Sequence, residues 1–269
     1  MKPRTLILRT AGTNCDGETA HALGLAGSAP EAIHLNRVIE NPRLLDDFQL
    51  LAIPGGFSYG DDIAAGRIFA NQIAHHLGDA FRRFIDDGKP IIGICNGFQV
   101  LVKTELLPGP LAGRTGQTCT LTNNASHRFV DTWVRLLPQA GTKCVWTRGL
   151  AACAADGAGP MELPVAHGEG RFVPGDDSVR RALWDGGHVA LTYTPDSDPN
   201  GSTDHIAGIC DASGLVFGLM PHPERYVWPY QHPAWARQRS REGLPGEGQG
   251  LQVFRNAVSH AAAAVGQGV

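Results

Sequence analysis

The sequence predicts an α/β fold: an open, mostly parallel sheet with helices on both faces, extended in the second half by a small antiparallel strand section. Three observations predict it. Short, wholly apolar runs alternate with stretches of helical spacing through the first part of the chain, as parallel strands buried on both faces require. Two of those runs end in glycine-rich turns, Pro54-Gly55-Gly56 and Gly93-Ile94-Cys95-Asn96-Gly97, at the strand ends where open α/β sheets build their sites. The second half carries alternating runs broken by Asp, Asn, Pro and Gly, the pattern of antiparallel strands.

The elements follow in order. Residues 5–8 read as a first buried strand, followed by a polar loop over 10–17 and a helix over 18–25. Residues 32–35 and 49–53 supply a second and a third strand. Residues 63–86 place Ile68, Phe69, Ile73, Leu77, Phe81, Phe84 and Ile85 at helical spacing. Residues 91–94 form the strand that enters the second glycine turn, and a helix starts at Asn96. Beyond it, 129–136 alternates as an antiparallel strand, and strands are expected at 188–194, 206–210 and 215–220. Residues 251–265 close the chain with a helix. With no internal repeat and no linker composition, residues 1–269 read as one domain, and 226–250 as a loop-rich insertion before the closing helix.

Composition narrows the classes of function. The chain has 269 residues, 42% hydrophobic and 18% charged, enough apolar content for a buried core rather than disorder. Its net charge of -3 provides no basic footprint, which argues against a nucleic-acid partner. No apolar run reaches the length of a membrane span, and Met1-Lys2-Pro3-Arg4 lacks the apolar segment of a signal peptide, so the expected compartment is the cytoplasm with no membrane partner. Six cysteines are scattered without a Cys-X-X-Cys pair, so neither a disulfide framework nor a metal site is expected.

The chemistry centres on Cys95. Strand, Gly-X-Cys-X-Gly turn and helix form the layout of a nucleophile elbow with sulfur in place of a hydroxyl. The glycines on either side are needed because side chains there would collide with neighbouring backbone, and the helix starting at Asn96 favours thiolate at its N-terminus. A thiol nucleophile requires a base and an orienting group. Met220-Pro221-His222-Pro223-Glu224-Arg225 offers both: in an extended segment His222 and Glu224 point to one side, so the carboxylate fixes the imidazole tautomer. For the oxyanion of the attacked carbonyl, the amides of Gly56 and Phe57 and that of Asn96 are the expected donors.

These residues resemble a known family. The Gly-X-Cys-X-Gly elbow with a late His-Pro-Glu is similar to the class I glutamine amidotransferases, whose domain is flavodoxin-like. Gly12-Thr13-Asn14-Cys15-Asp16, Pro54-Gly55-Gly56-Phe57-Ser58-Tyr59-Gly60-Asp61-Asp62, Gly93-Ile94-Cys95-Asn96-Gly97-Phe98-Gln99, Ala166-His167-Gly168-Glu169-Gly170-Arg171, Pro199-Asn200-Gly201-Ser202 and the His-Pro-Glu segment together resemble the glutaminase subunits of phosphoribosylformylglycinamidine synthase. Six motifs in matching order over roughly the first 225 residues are far more specific than the elbow alone. The resemblance implies glutamine as substrate, a Cys95-His222-Glu224 triad and a glutamyl thioester. It also implies ammonia delivery to a separate ATP-dependent large subunit, together with a small third subunit, in purine synthesis. No cofactor is expected in this chain, and ATP and magnesium belong on the partner synthetase; no phosphate loop of the Gly-X-X-X-X-Gly-Lys type is present.

Gln99, His167, Glu169 and Arg171 are candidates for substrate or interface contacts. His167 and Glu169 have three readings: lining the glutamine pocket, contacting the partner, or holding a loop through hydrogen bonds. Cys15 reads as a structural or substrate-loop residue rather than a second nucleophile, and Asp61 and Asp62 as loop or cap carboxylates. Two further readings stay open: a stand-alone Cys-His-Glu hydrolase, which would need no partner, and a non-catalytic scaffold, which would not need to retain all three triad residues.

Overall fold

The structure is a computed structural model and describes residues 2–111, 113–153, 159–237 and 246–266. Its strands are β1 (Arg4–Arg9), β2 (Ala29–His34), β3 (Leu50–Ile53), β4 (Ile91–Ile94), β5 (Cys119–Thr122), β6 (Val130–Pro138), β7 (Met161–His167), β8 (Arg171–Pro174), β9 (Val189–Tyr193), β10 (Ile206–Cys210) and β11 (Val216–Leu219). Its helices are α1 (Asp16–Leu25), α2 (Leu35–Glu40), α3 (Arg67–His76), α4 (Gly78–Asp86), α5 (Asn96–Lys103), α6 (Leu150–Cys153), α7 (Asp177–Asp185) and α8 (Leu251–Gly266).

Nine strands make one sheet in the order β2-β1-β3-β4-β11-β10-β9-β6-β7, and β5 and β8 pair as a separate ribbon. The half from β2 to β11 is parallel and the half from β11 to β7 antiparallel, so the antiparallel section extends the main sheet. From β1 the chain crosses to β2 on one side and later from β3 to β4 on the other. Right-handed crossovers therefore send their helices to opposite faces: α1 packs with α8, and α3 with α5. β3, β4, β10 and β11 are buried at every position, as strands covered on both faces must be.

Local departures from the expected elements have physical causes. The helical stretch 63–86 divides into α3 and α4 at Leu77, whose backbone leaves the helical region with φ -127°. α1 begins two residues earlier than expected, bringing Asp16 as well as Glu18 into its first turn beside the positive end of the helix dipole. β7 was not expected at all. Pro164 interrupts its pattern, and it is tolerated because β7 is an edge strand of the sheet. Within the insertion expected at 226–250, Tyr226 and His232 pack their rings against Trp133 of β6, while residues 238–245 lie outside the described residues.

Candidate active site

Parallel pairing of β4 with β11 sets Gly93 beside Gly218 and Ile94 beside Leu219. Both strands thus end together, and the two segments that follow them meet. The amide of Cys95 donates to Leu219 O at 2.8 Å. Cys95 adopts φ +51°, ψ -103°, a strained conformation for a non-glycine residue and the mark of a sharp elbow. The expected need for glycine on either side holds. A Cβ on Gly93 would strike the carbonyl of Gly97, and one on Gly97 the carbonyl of Ile53. The thiol is nearly buried, with its sulfur 3.7 Å from Ala166 O on β7.

His222 and Glu224 are both 2% exposed, and the imidazole Nδ1 lies 2.7 Å from Glu224 Oε1. The pair is as expected, but the route to it is not. Pro223–Arg225 forms a single 3-10 turn rather than an extended segment, because proline at the first helical position presets φ and gives up an amide that would have had no partner. His222 Nε2 and Glu224 Oε2 are buried without a hydrogen-bond partner among the described residues. Burial, the largest single effect, pulls the imidazole towards neutrality, but the Glu224 carboxylate, Cys95 and Cys15 together outweigh it. Its proton affinity is therefore raised well above that of an ordinary histidine.

Of the expected oxyanion donors, Phe57 must be corrected. Its amide already donates to Gly12 O at 2.9 Å, in the short contact that bridges Thr13 and Gly56. The amides of Gly56 and Asn96 carry no such bond among the described residues. The Asn96 side chain ties the two loops together: its Oδ1 accepts from the Ser58 amide at 3.3 Å, and its Nδ2 donates to Asp61 Oδ1 at 3.2 Å and to Gln99 Oε1 at 3.0 Å. Asp61 is thus a loop carboxylate, as expected, and its burial raises its pKa.

A cavity of about 230 Å³ opens at Cys95, lined among others by Gly56, Phe57, Gln99, Phe129, His167 and Glu169. A larger one of about 540 Å³, around Thr142 and Arg148, touches none of the candidate site residues. Chemistry rather than size selects the smaller. Gln99 is buried and donates to Glu169 O at 2.7 Å. His167 is 3% exposed with Nδ1 3.1 Å from Asn124 Oδ1, and burial first, then the charge of His222, pushes its pKa down to about 4. Arg171 does not line the cavity. Its Nε donates to Gly201 O at 3.1 Å on the exposed side, so it is a loop tie rather than a substrate contact.

Sequence reasoning missed Asn124, and it named Asn200 only through its motif and Cys15 only as a structural or substrate-loop residue. Asn124 holds the His167 carbonyl, the His167 ring and the Gly170 amide together. Asn200 donates to Gly170 O at 2.9 Å, which gives the Pro-Asn-Gly-Ser motif a use in supporting the same loop. Cys15 lies beside the histidine, and ligand atoms of Cys15, His222 and Glu224 fall within 4.8 Å of one another. Such a trio would suit a metal cation, but Arg225 Nη2 donates to the Cys15 sulfur at 3.2 Å, and a permanent positive charge there opposes one. The signal for Cys15 was its motif, Asn14-Cys15-Asp16, with nothing nearby in the chain to say what it faces.

A profile of the CobB/CobQ-like glutamine amidotransferase domain matches residues 2–261. The chain is 45% identical over 270 residues to phosphoribosylformylglycinamidine synthase subunit PurQ of Dehalococcoides mccartyi, covering 97% of this chain and 98% of that one. It is 41% identical over 249 residues to the subunit of the same name from Treponema denticola, covering 84% and 89%. Among solved structures it is similar to PurLQS from Thermotoga maritima, with a TM-score of 0.67, 33% identity, and 96% and 99% of the two chains covered.

Proposed function

This chain belongs to the CobB/CobQ-like glutamine amidotransferase family, and from that premise we infer that it is the glutaminase subunit of phosphoribosylformylglycinamidine synthase, supplying ammonia to a synthetase subunit in purine biosynthesis. The observation that carries the chemistry is the meeting of the strained Cys95 elbow with the buried His222–Glu224 pair at the ends of adjacent parallel strands.

In this reading Cys95 attacks the side-chain amide carbon of glutamine as thiolate. His222 holds the thiol proton and passes it to the amide nitrogen as the C–N bond breaks, releasing ammonia and leaving a glutamyl thioester. The same imidazole then deprotonates a water, which attacks the thioester; glutamate leaves and the proton returns to sulfur. Glu224 holds Nδ1–H, so that the free Nε2 serves the sulfur, and it stabilises the imidazolium formed at each step. The amides of Gly56 and Asn96 carry the oxyanion. Gln99, His167 and Glu169 shape the cavity for the amino-acid end of the substrate. Residues 1–269 act as one glutaminase domain. ATP and magnesium are used on the synthetase, a small third subunit completes the assembly, and the complex works in the cytoplasm. In keeping with this, no helix among the described residues is long and apolar enough to cross a membrane.

The test is Cys95→Ala in the assembled complex with ATP and phosphoribosylformylglycinamide. Glutamine-dependent product formation is expected to vanish while formation from added ammonium persists. Loss of both together would mean that Cys95 supports the structure and not the reaction.

A further inference from the structure

Cys15 is a buried thiol beside the His222–Glu224 pair that the mechanism above does not use. Cys15 is 1% exposed, and its amide is tied to Gly55 O at 3.2 Å. A Cβ on Gly55 would meet His222 Cε1 at 2.8 Å and Cys15 Sγ at 3.2 Å, so the imidazole edge and the sulfur lie over the same glycine. The sulfur is engaged twice more: its S–H donates to Asn14 Oδ1 at 3.2 Å, and it accepts from Arg225 Nη2 at 3.2 Å. Arg225 Nε is held on the far side by Glu18 Oε2 at 3.0 Å. The groups facing His222 are therefore Glu224, Cys95 and Cys15, with Arg225 beyond the Cys15 sulfur and His167 facing from β7.

We propose that Cys15 is a positioning residue for His222: its sulfur backs the imidazole and holds the Arg225 guanidinium, so that the Glu224 carboxylate stays committed to the His222 ring. This rests on Cys95 and His222 being the reacting pair. Glu224 Oε2 is buried without a partner among the described residues. Arg225 is the next residue in the chain, and deleting the Cys15 sulfur frees its Nη2 to take that oxygen. A carboxylate shared with a guanidinium draws a proton onto the imidazole less strongly. His222 then takes the thiol proton of Cys95 less readily, which the pH dependence of Cys95 alkylation and its titration read out. A side chain that merely filled space would change stability without moving that titration. Cys15 does not serve as a second nucleophile, because burial pushes its thiol pKa up and it does not line the cavity at Cys95.

The experiment compares wild type, Cys15→Ala and Cys15→Ser. Iodoacetamide alkylation of Cys95 is followed against pH by mass spectrometry of the peptide that carries it, alongside kcat and KM for glutamine in the assembled complex and thermal melting. Cys15→Ala is expected to move the alkylation midpoint to higher pH and to lower kcat by roughly ten- to hundredfold, with KM changed less than about threefold. Serine, whose hydroxyl keeps both hydrogen bonds, restores most of the rate and the wild-type midpoint. An alkylation profile for Cys15→Ala that superimposes on wild type overturns the proposal, as does a loss of melting temperature and rate shared equally by alanine and serine without a change in the titration. If wild-type Cys95 titrates like an isolated thiol, the reading of Cys95 and His222 as a pair falls first, and this proposal with it.

Discussion

Acidification should destabilise this protein through His167. The ring is buried on β7 with its Nδ1 against Asn124 Oδ1, and its pKa is held down at about 4, against about 6.5 for an ordinary histidine. An unfolded chain takes up this proton near the ordinary value, the folded chain only near the lower one. The stability contributed by neutral His167 is therefore complete above the unfolded pKa and is lost as pH falls through the window between the two. Between pH 7 and pH 5 the loss is about 2 kcal/mol, rising to about 3 kcal/mol by pH 4. His222 acts in the opposite sense. Its folded pKa is raised, so its contribution is full below the unfolded value and fades as pH rises through the folded one, which blunts the acid loss in the wild type. The measurement is therefore a difference: urea unfolding of wild type and His167→Gln at pH 7 and pH 5. Glutamine still donates to Asn124 Oδ1 but does not titrate. The wild type should lose about 2 kcal/mol more than the variant over that interval. Equal losses would show that His167 is not held neutral by burial.

Three further outcomes follow from single contacts. Gly97→Ala drives a Cβ into the Ile53 carbonyl and should cost more than about 3 kcal/mol in urea unfolding; a wild-type midpoint would mean that the elbow yields cheaply. Glu224→Gln removes the charge that raises His222 and should cut the glutaminase rate roughly a hundredfold or more with the circular dichroism unchanged; wild-type turnover would exclude Glu224 from the mechanism. Asn200→Ala leaves Gly170 O without its 2.9 Å donor and should lower stability by about 2 kcal/mol while raising KM for glutamine; melting and kinetics read the two separately, and an unchanged KM would detach this loop from the cavity.

Much of the fold was legible because its signals are local. The runs around residues 5–8, 49–53 and 91–94 became β1, β3 and β4 within a residue or so, since a strand buried on both faces must be apolar throughout. The two glycines of the elbow were read correctly for the same reason: the collision they avoid follows from the turn itself and from the strand beside it. β7 was illegible because Pro164 breaks its pattern and only its place at the sheet edge makes that harmless. The Phe57 amide was misjudged because the group that occupies it, Gly12 O, arrives from a loop distant in the chain. Arg171, expected as a substrate or interface contact, lies outside the cavity with its Nε on Gly201 O, a partner thirty residues away in the chain.

By itself, then, the amino-acid sequence determined the reacting groups and their immediate geometry: the thiol on a turn only glycines permit, and an imidazole two residues from its carboxylate. Tertiary structure decided which of these groups meet. The pairing of β4 with β11 brings Cys95 to the His222 segment, and the loop at Gly55 brings Cys15 against the same ring. Strand order in a buried sheet is set by the packing of the whole core, and no local pattern of side chains encodes which strand end will lie beside which.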